Sequence, residues 1–278
     1  RQVHRCSGAM RVDFTKMHGL GNDFVVLDAR VRPVPAIDTA VARALADRRT
    51  GIGCDQLILL EPSDAADFRM RIFNHDGGEV EACGNASRAA ALLHGSAASV
   101  ETSGGLIHVE PADGGASVDM GKPRFDWEAI PLAYGMDTAV MPVGWEGLDR
   151  PGAVNVGNPH VVFFVENTDA VPLDVIGPQI ETDPLFPQRI NVNVATIENR
   201  GHIRLRVWER GAGLTRACGT GACATAVHAM RRGLVEREVT VTLPGGDLVI
   251  GWDDSERIRM TGPANESYRG SFEWNDFA

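Results

Sequence analysis

Ile72–Gly95 reads IFNHDGGEVEACGNASRAAALLHG, and Val207–Met230 reads VWERGAGLTRACGTGACATAVHAM. Placing Cys83 on Cys218 aligns the two stretches without a gap. Each opens with a β-patterned run ending in a polar residue and passes through a Gly-containing loop to Ala-Cys-Gly. Each then enters an Ala-rich run free of proline, which is helical by propensity. Self-similarity of this kind means that one supersecondary unit is used twice.

The match extends outward from the cysteines. Gly21-Asn22 precedes the apolar run VVLD, and Gly157-Asn158 precedes PHVVFFV. Asn22 lies 61 residues before Cys83 (83 − 22), and Asn158 lies 60 before Cys218 (218 − 158). Gln56 and Asn191 each lie 27 before their cysteine, and Asn74 and Glu209 each lie 9 before. SerGlyGly (103–105) and ProGlyGly (244–246) hold similar places downstream. The chain therefore reads as two copies of one α/β unit of roughly 130 residues, the size of a small domain.

Short apolar or alternating runs rich in β-branched residues predict strands: FVVLD, QLILL, FRMRIF, HVVFFV, NVNVATI, HIRLRVW, EVTVTL and LVIGW. Helices are predicted after Cys83 and Cys218 and over residues 38–48, where Asp38 serves as the cap. The run after Cys218 is small and apolar nearly all round, as in a helix buried within its sheet. The expected organisation is a leader or disordered extension over 1–10, a first half over 11–127 and a second half over 128–278. The last residues are expected to pack back on the first half. The proline-containing stretch 121–150 reads as the interdomain connection and a possible hinge.

Composition narrows the function classes. A formal net charge of −10 argues against a nucleic-acid partner. No apolar run reaches the ~18 residues of a membrane helix. The N-terminus has no apolar signal core, so a cytoplasmic location is expected. Five cysteines is an odd number for a disulfide framework. The only lysines are Lys16 and Lys122, which leaves few candidates to anchor pyridoxal phosphate. No Cys-x-x-Cys or paired Cys/His spacing predicts a metal site.

A lone cysteine is most often a small buried hydrophobe, and Cys6, Cys54 and Cys223 are read that way, although Cys54 sits near Gln56. Cys83 and Cys218 differ because both occupy the same place in a repeat, at a helix start and before glycine. A helix N-terminus lowers a thiol pKa and produces a usable base. The amides of Gly84, Asn85, Gly219 and Thr220 at these starts suit a carboxylate. Asn22, Gln56, Asn74, Asn158 and Asn191 offer neutral donors and acceptors. Glu209 can accept from an ammonium, and Arg210 can fork onto a carboxylate. Matched halves with a thiol each point to a symmetric reaction, with a proton removed from one face of a carbon and returned on the other.

The segments MHGLGNDF (17–24), GIGCDQ (51–56), FNHDGGEVEACGN (73–85), GNPH (157–160), ERGAGLTRACGTGA (209–222) and LPGGDLVI (243–250) closely resemble diaminopimelate epimerase, from about residue 11 to about 272. The resemblance implies an α/β (α+β) fold of two pseudo-symmetric halves, each a sheet wrapped round a central helix, with the active site in the cleft between them. It implies interconversion of LL- and meso-diaminopimelate without metal or pyridoxal phosphate, in lysine and peptidoglycan precursor synthesis. Cys83 and Cys218 match the two catalytic bases. Asn22, Gln56, Asn74, Asn158, Asn191, Glu209 and Arg210 match substrate contacts, and Gly84, Asn85, Gly219 and Thr220 match the carboxylate cradle. His160 and Glu209 match positions that tune the thiols, and Tyr268 matches a homodimer contact. The first motif departs from many members, reading CGNASRA rather than CGN-Gly. The alternatives are a two-cysteine proline or hydroxyproline epimerase, a cysteine hydrolase, and a non-catalytic amino-acid-binding relative. The pair of thiols is expected to titrate as a coupled unit.

Overall fold

A computed structural model of the chain describes residues 10–80 and 83–278. The expected leader over residues 1–9, with Cys6, lies outside the described residues, as do Glu81 and Ala82. The chain divides into two compact units, residues 1–111 with 264–278, and residues 112–263.

Four α-helices accompany the strands among the described residues: α1 (Thr39–Ala46), α2 (Gly84–His94), α3 (Leu173–Glu181) and α4 (Gly219–Arg231). In the first unit, strand Arg11–Gly19 pairs antiparallel with Asn22–Asp28, which runs parallel to Gln56–Glu61. That strand pairs antiparallel with Phe68–Asn74, which runs parallel to Ala98–Thr102, itself antiparallel to Gly105–Ala112. The second unit repeats this order and sense through Gly152–Asn155, Pro159–Phe164, Asn191–Asn199, His202–Glu209, Glu238–Leu243 and Gly246–Trp252. A parallel pair needs a long crossover. Each of the four crossovers carries one of the helices, so α1 corresponds to α3 and α2 to α4.

The two helices that follow the cysteines are buried because their side chains are small. Gly221–Met230 of α4 is buried throughout, and so is Asn85–Ala91 of α2. On α1, Asp38 accepts from Val41 N at 2.9 Å, the cap predicted for it. Helix α3 was not predicted. Pro178 lies inside it, and Gly177 lets it approach Trp208 so closely that a methyl there would come within 2.6 Å of the indole. The eight strands predicted by pattern all coincide with observed strands, HVVFFV overrunning its strand by Val165.

The division falls at 111/112 rather than the expected 127/128, because strand Gly115–Asp119 pairs with Ile258–Pro263 of the second unit. The stretch 121–150 is not a connection or hinge. Ile130, Leu132, Met141 and Leu148 are buried in the second unit's core, and Arg124 bridges Asn155. The chain re-enters the first unit at Ala264, and Asn265–Glu273 pairs with Arg11–Gly19. Among the described residues, no helix is long and apolar enough to cross a membrane.

Candidate active site

In the first unit the strand register gathers the amides. Leu20 and Gly21, both at positive φ, form the tight turn between Gly19 and Asn22. Gln56 pairs across the sheet with Asn74 and donates to its Oδ1 at 3.0 Å. Asn22 donates to Asp55 at 2.9 Å and faces Asn85 Nδ2 at 3.4 Å. Asp55 is itself held by Arg48 at 2.6 Å. Gln56 Oε1 is buried without a protein partner, an acceptor left open in a site that needs one. Cys83 is the residue before α2, in extended backbone and partly exposed. Its carbonyl accepts the first helical bond, from Ser87 N. The amides of Gly84 and Asn85 therefore precede the first intrahelical bond. Behind them Arg88, fully buried, donates to Asn85 Oδ1 at 2.5 Å and holds that side chain.

In the second unit Cys218 stands in the same place before α4, in similar extended backbone, and is 4% exposed. Gly221 N donates to its Sγ at 3.3 Å, while Ala222 N makes the first helical bond to its carbonyl. The amides of Gly219 and Thr220 remain at the open helix start. The Glu209 carboxylate lies near enough to the Cys218 thiol to act on it electrostatically, and accepts from Thr215 Oγ1. Burial and the Glu209 charge push the Cys218 thiol well above its ordinary value, outweighing the hydrogen bonds from Thr220 and Gly221. The helix start alone predicts a depressed thiol pKa. Here desolvation and a neighbouring carboxylate reverse that expectation. Burial also raises the Glu209 carboxyl.

His160 is fully buried, and burial, aided by the Arg210 charge, lowers its pKa to about 3. Its Nε2 lies 2.9 Å from Asn158 Oδ1, and its Nδ1 lies 3.0 Å from Asn193 Nδ2. Asn191 is occupied by backbone. It donates to Pro159 O at 2.8 Å and accepts from Arg210 N at 2.9 Å. It fixes the Arg210 backbone, and one Nδ2 hydrogen is left over for other partners. The exposed Arg210 side chain is steadied by Gln188 O at 3.0 Å. Tyr268 is 49% exposed on strand Asn265–Glu273 and meets Phe14 edge to face at 6.0 Å. Cys54 is buried in the first unit's core, and burial pushes its thiol up to about 11.

Three supporting residues escape a sequence reading. Asp55 orients Asn22. Glu181 of α3, 2% exposed, accepts from Trp208 Nε1 at 2.7 Å and Gly211 N at 2.9 Å, clamping the turn that carries Glu209 and Arg210. Asn193 braces His160. Its one sequence signal is Asn-Val-Asn at 191–193, two amides on the same face of an otherwise apolar strand.

A sequence model of the family described as diaminopimelate epimerase matches residues 14–126 and 152–266. A diaminopimelate epimerase from Erythrobacter litoralis (strain HTCC2594) is 72% identical over 269 residues, 97% of this chain and 100% of that protein. Among solved structures, a phenazine biosynthesis protein of the PhzF family from Bacillus anthracis superposes with a TM-score of 0.68 at 16% identity, over 95% of this chain and 99% of that one. A hydroxyproline epimerase from Agrobacterium vitis gives 0.63 at 15% identity, over 95% and 92%. At such identities these two show a shared fold of pseudo-symmetric halves. The near-full-length match to the Erythrobacter protein and the family model say more: the chain is an isomerase and belongs to the diaminopimelate epimerase family.

Proposed function

We propose that this protein interconverts LL- and meso-diaminopimelate by two-base proton transfer between Cys83 and Cys218, in the synthesis of lysine and peptidoglycan precursors. The observation that carries the reading is the repeated placement of the two thiols, each immediately before the helix in the second parallel crossover of its unit. A thiolate removes the α-proton on one face, and a thiol returns a proton on the other. Carboxylate charge grows as the proton leaves. Amides at the starts of α2 and α4 are suited to stabilise it. Cys218 is held as a thiol by burial and Glu209. In the direction in which it serves as the acid, Cys83 is the base, and the reverse direction exchanges the two roles. Asn22, Gln56, Asn74, Asn158, Glu209 and Arg210 recognise the two amino-acid ends of the substrate. No metal or cofactor is part of this reading.

The enzyme works in the cytoplasm as a homodimer. The exposed strand Asn265–Glu273, paired only with Arg11–Gly19 among the described pairings, supports a dimer contact at Tyr268. Sedimentation of wild type and Tyr268→Ala tests that contact. The reaction itself is tested by incubation with LL-diaminopimelate in deuterium oxide. Wild type is expected to form the meso isomer with α-deuteration, and Cys83→Ala and Cys218→Ala are expected to lose it. Isomerisation by either alanine variant would rule out the two-base mechanism. Exchange with hydroxyproline or proline in place of diaminopimelate would reassign the substrate.

A further inference from the structure

The buried amide of Asn193 settles the protonation pattern of three residues. Its Nδ2 lies 3.1 Å from Val161 O and 3.0 Å from His160 Nδ1. A backbone carbonyl only accepts, so the group facing it must be the NH₂ rather than the oxygen. The two hydrogens of that NH₂ then go to Val161 O and to His160 Nδ1, which must accept. Turning the amide over would place two acceptors 3.1 Å apart in a site with no exposed surface. The Asn193 oxygen instead lies over the first turn of α4, where Gly221 leaves room. A methyl there would come within 2.8 Å of it.

With Nδ1 accepting, a neutral imidazole carries its proton on Nε2. The burial that keeps His160 neutral agrees with this. Nε2 donates to Asn158 at 2.9 Å, so Asn158 presents Oδ1 to the histidine. Its NH₂ is then turned away from His160 and is left to donate to an acceptor such as a carboxylate.

We infer that Asn193 is a positioning residue that sets the His160 tautomer and, through it, turns the Asn158 amide so that its NH₂ faces substrate. This rests on the reading that Asn158 contacts diaminopimelate. The tautomer itself does not depend on that reading.

The test begins with nitrogen-15 NMR of histidine-labelled wild type, with His160→Gln to assign the signals. The expected spectrum shows a protonated Nε2 and an unprotonated Nδ1. Asn193→Asp, which offers acceptors only, is expected to move the proton to Nδ1 and reverse the Asn158 amide. The KM for diaminopimelate is then expected to rise about tenfold, the effect of one lost hydrogen bond to a charged group, with a smaller change in kcat. In an Asn158→Ala background the same substitution is expected to leave KM unchanged. A wild-type proton on Nδ1 overturns the inference even if the aspartate variant fails to fold. An equal KM rise in both backgrounds also overturns it. Absence of turnover by the wild type would remove the functional reading instead, and the imidazole spectrum would still decide the tautomer.

Discussion

Glu209→Gln is expected to lower the pKa of Cys218. Burial and the neighbouring Glu209 charge are the two largest influences holding the proton on the Cys218 sulfur. Two unit charges in close contact interact by about 4 kcal/mol at an effective dielectric of ~20, which bounds the effect from above. Removing the charge is therefore expected to lower the Cys218 midpoint, with burial still opposing ionisation. Burial is unchanged in the variant, so the shift reports the charge alone. The assay is a titration of thiolate ultraviolet absorbance, taken as the difference between each protein and its Cys218→Ala counterpart. Cys218 should ionise at lower pH in the glutamine variant. An unchanged or higher midpoint would refute the idea that Glu209 keeps this thiol protonated.

Glu181→Ala strips the partners from Trp208 Nε1 and Gly211 N, and from the half-exposed Arg189, and is expected to destabilise the fold by about 2–4 kcal/mol in urea unfolding. An effect under about 1 kcal/mol would mean that α3 does not clamp the 209–211 turn. Gly152→Ala would place a methyl 1.8 Å from the ring of His228, which is stacked on Phe164 at 5.8 Å. The expected loss is about 1–3 kcal/mol, read as a lowered Tm. His160 and His228 are both lowered to about 3 by burial. Between about pH 6.5 and 3 the unfolded chain binds protons that the folded chain refuses, so stability is full above that window. It falls on acidification by up to about 1.4 kcal/mol per pH unit for each histidine. His160→Gln should reduce that slope by one histidine's share in urea unfolding across pH, and an unchanged slope would contradict it.

Much of the architecture was legible because its signals are local. Alternation exposed the strands, alanine content exposed α2 and α4, and an aspartate cap exposed α1. Helix α3 was hidden because Pro178 breaks the local pattern, and the helix is held by packing on Trp208 and by Glu181. The boundary was misplaced because the prolines of 121–150 resemble a linker, whereas Ile130, Leu132 and Met141 are buried. The roles of Asn191 and Asn193 were not separable along the chain. Both are buried amides on one strand face, and only their partners distinguish a backbone tie from a histidine brace.

The amino-acid order by itself determined the duplicated unit, the pairing of Cys83 with Cys218 and the polar residues set at matched distances from them. Repetition is a property of the chain and needs no contacts to be seen. Only the tertiary structure decided the protonation chemistry. Whether a thiol at a helix start becomes thiolate depends on desolvation and on the charge beside it. Cys218 meets both through Glu209, a residue nine positions away brought to it by the fold (218 − 209). Hydrogen-bond polarity at His160 likewise comes from a strand 33 residues distant. Spacing singles out Glu209, but whether it raises or lowers the thiol is decided through space, by burial and charge.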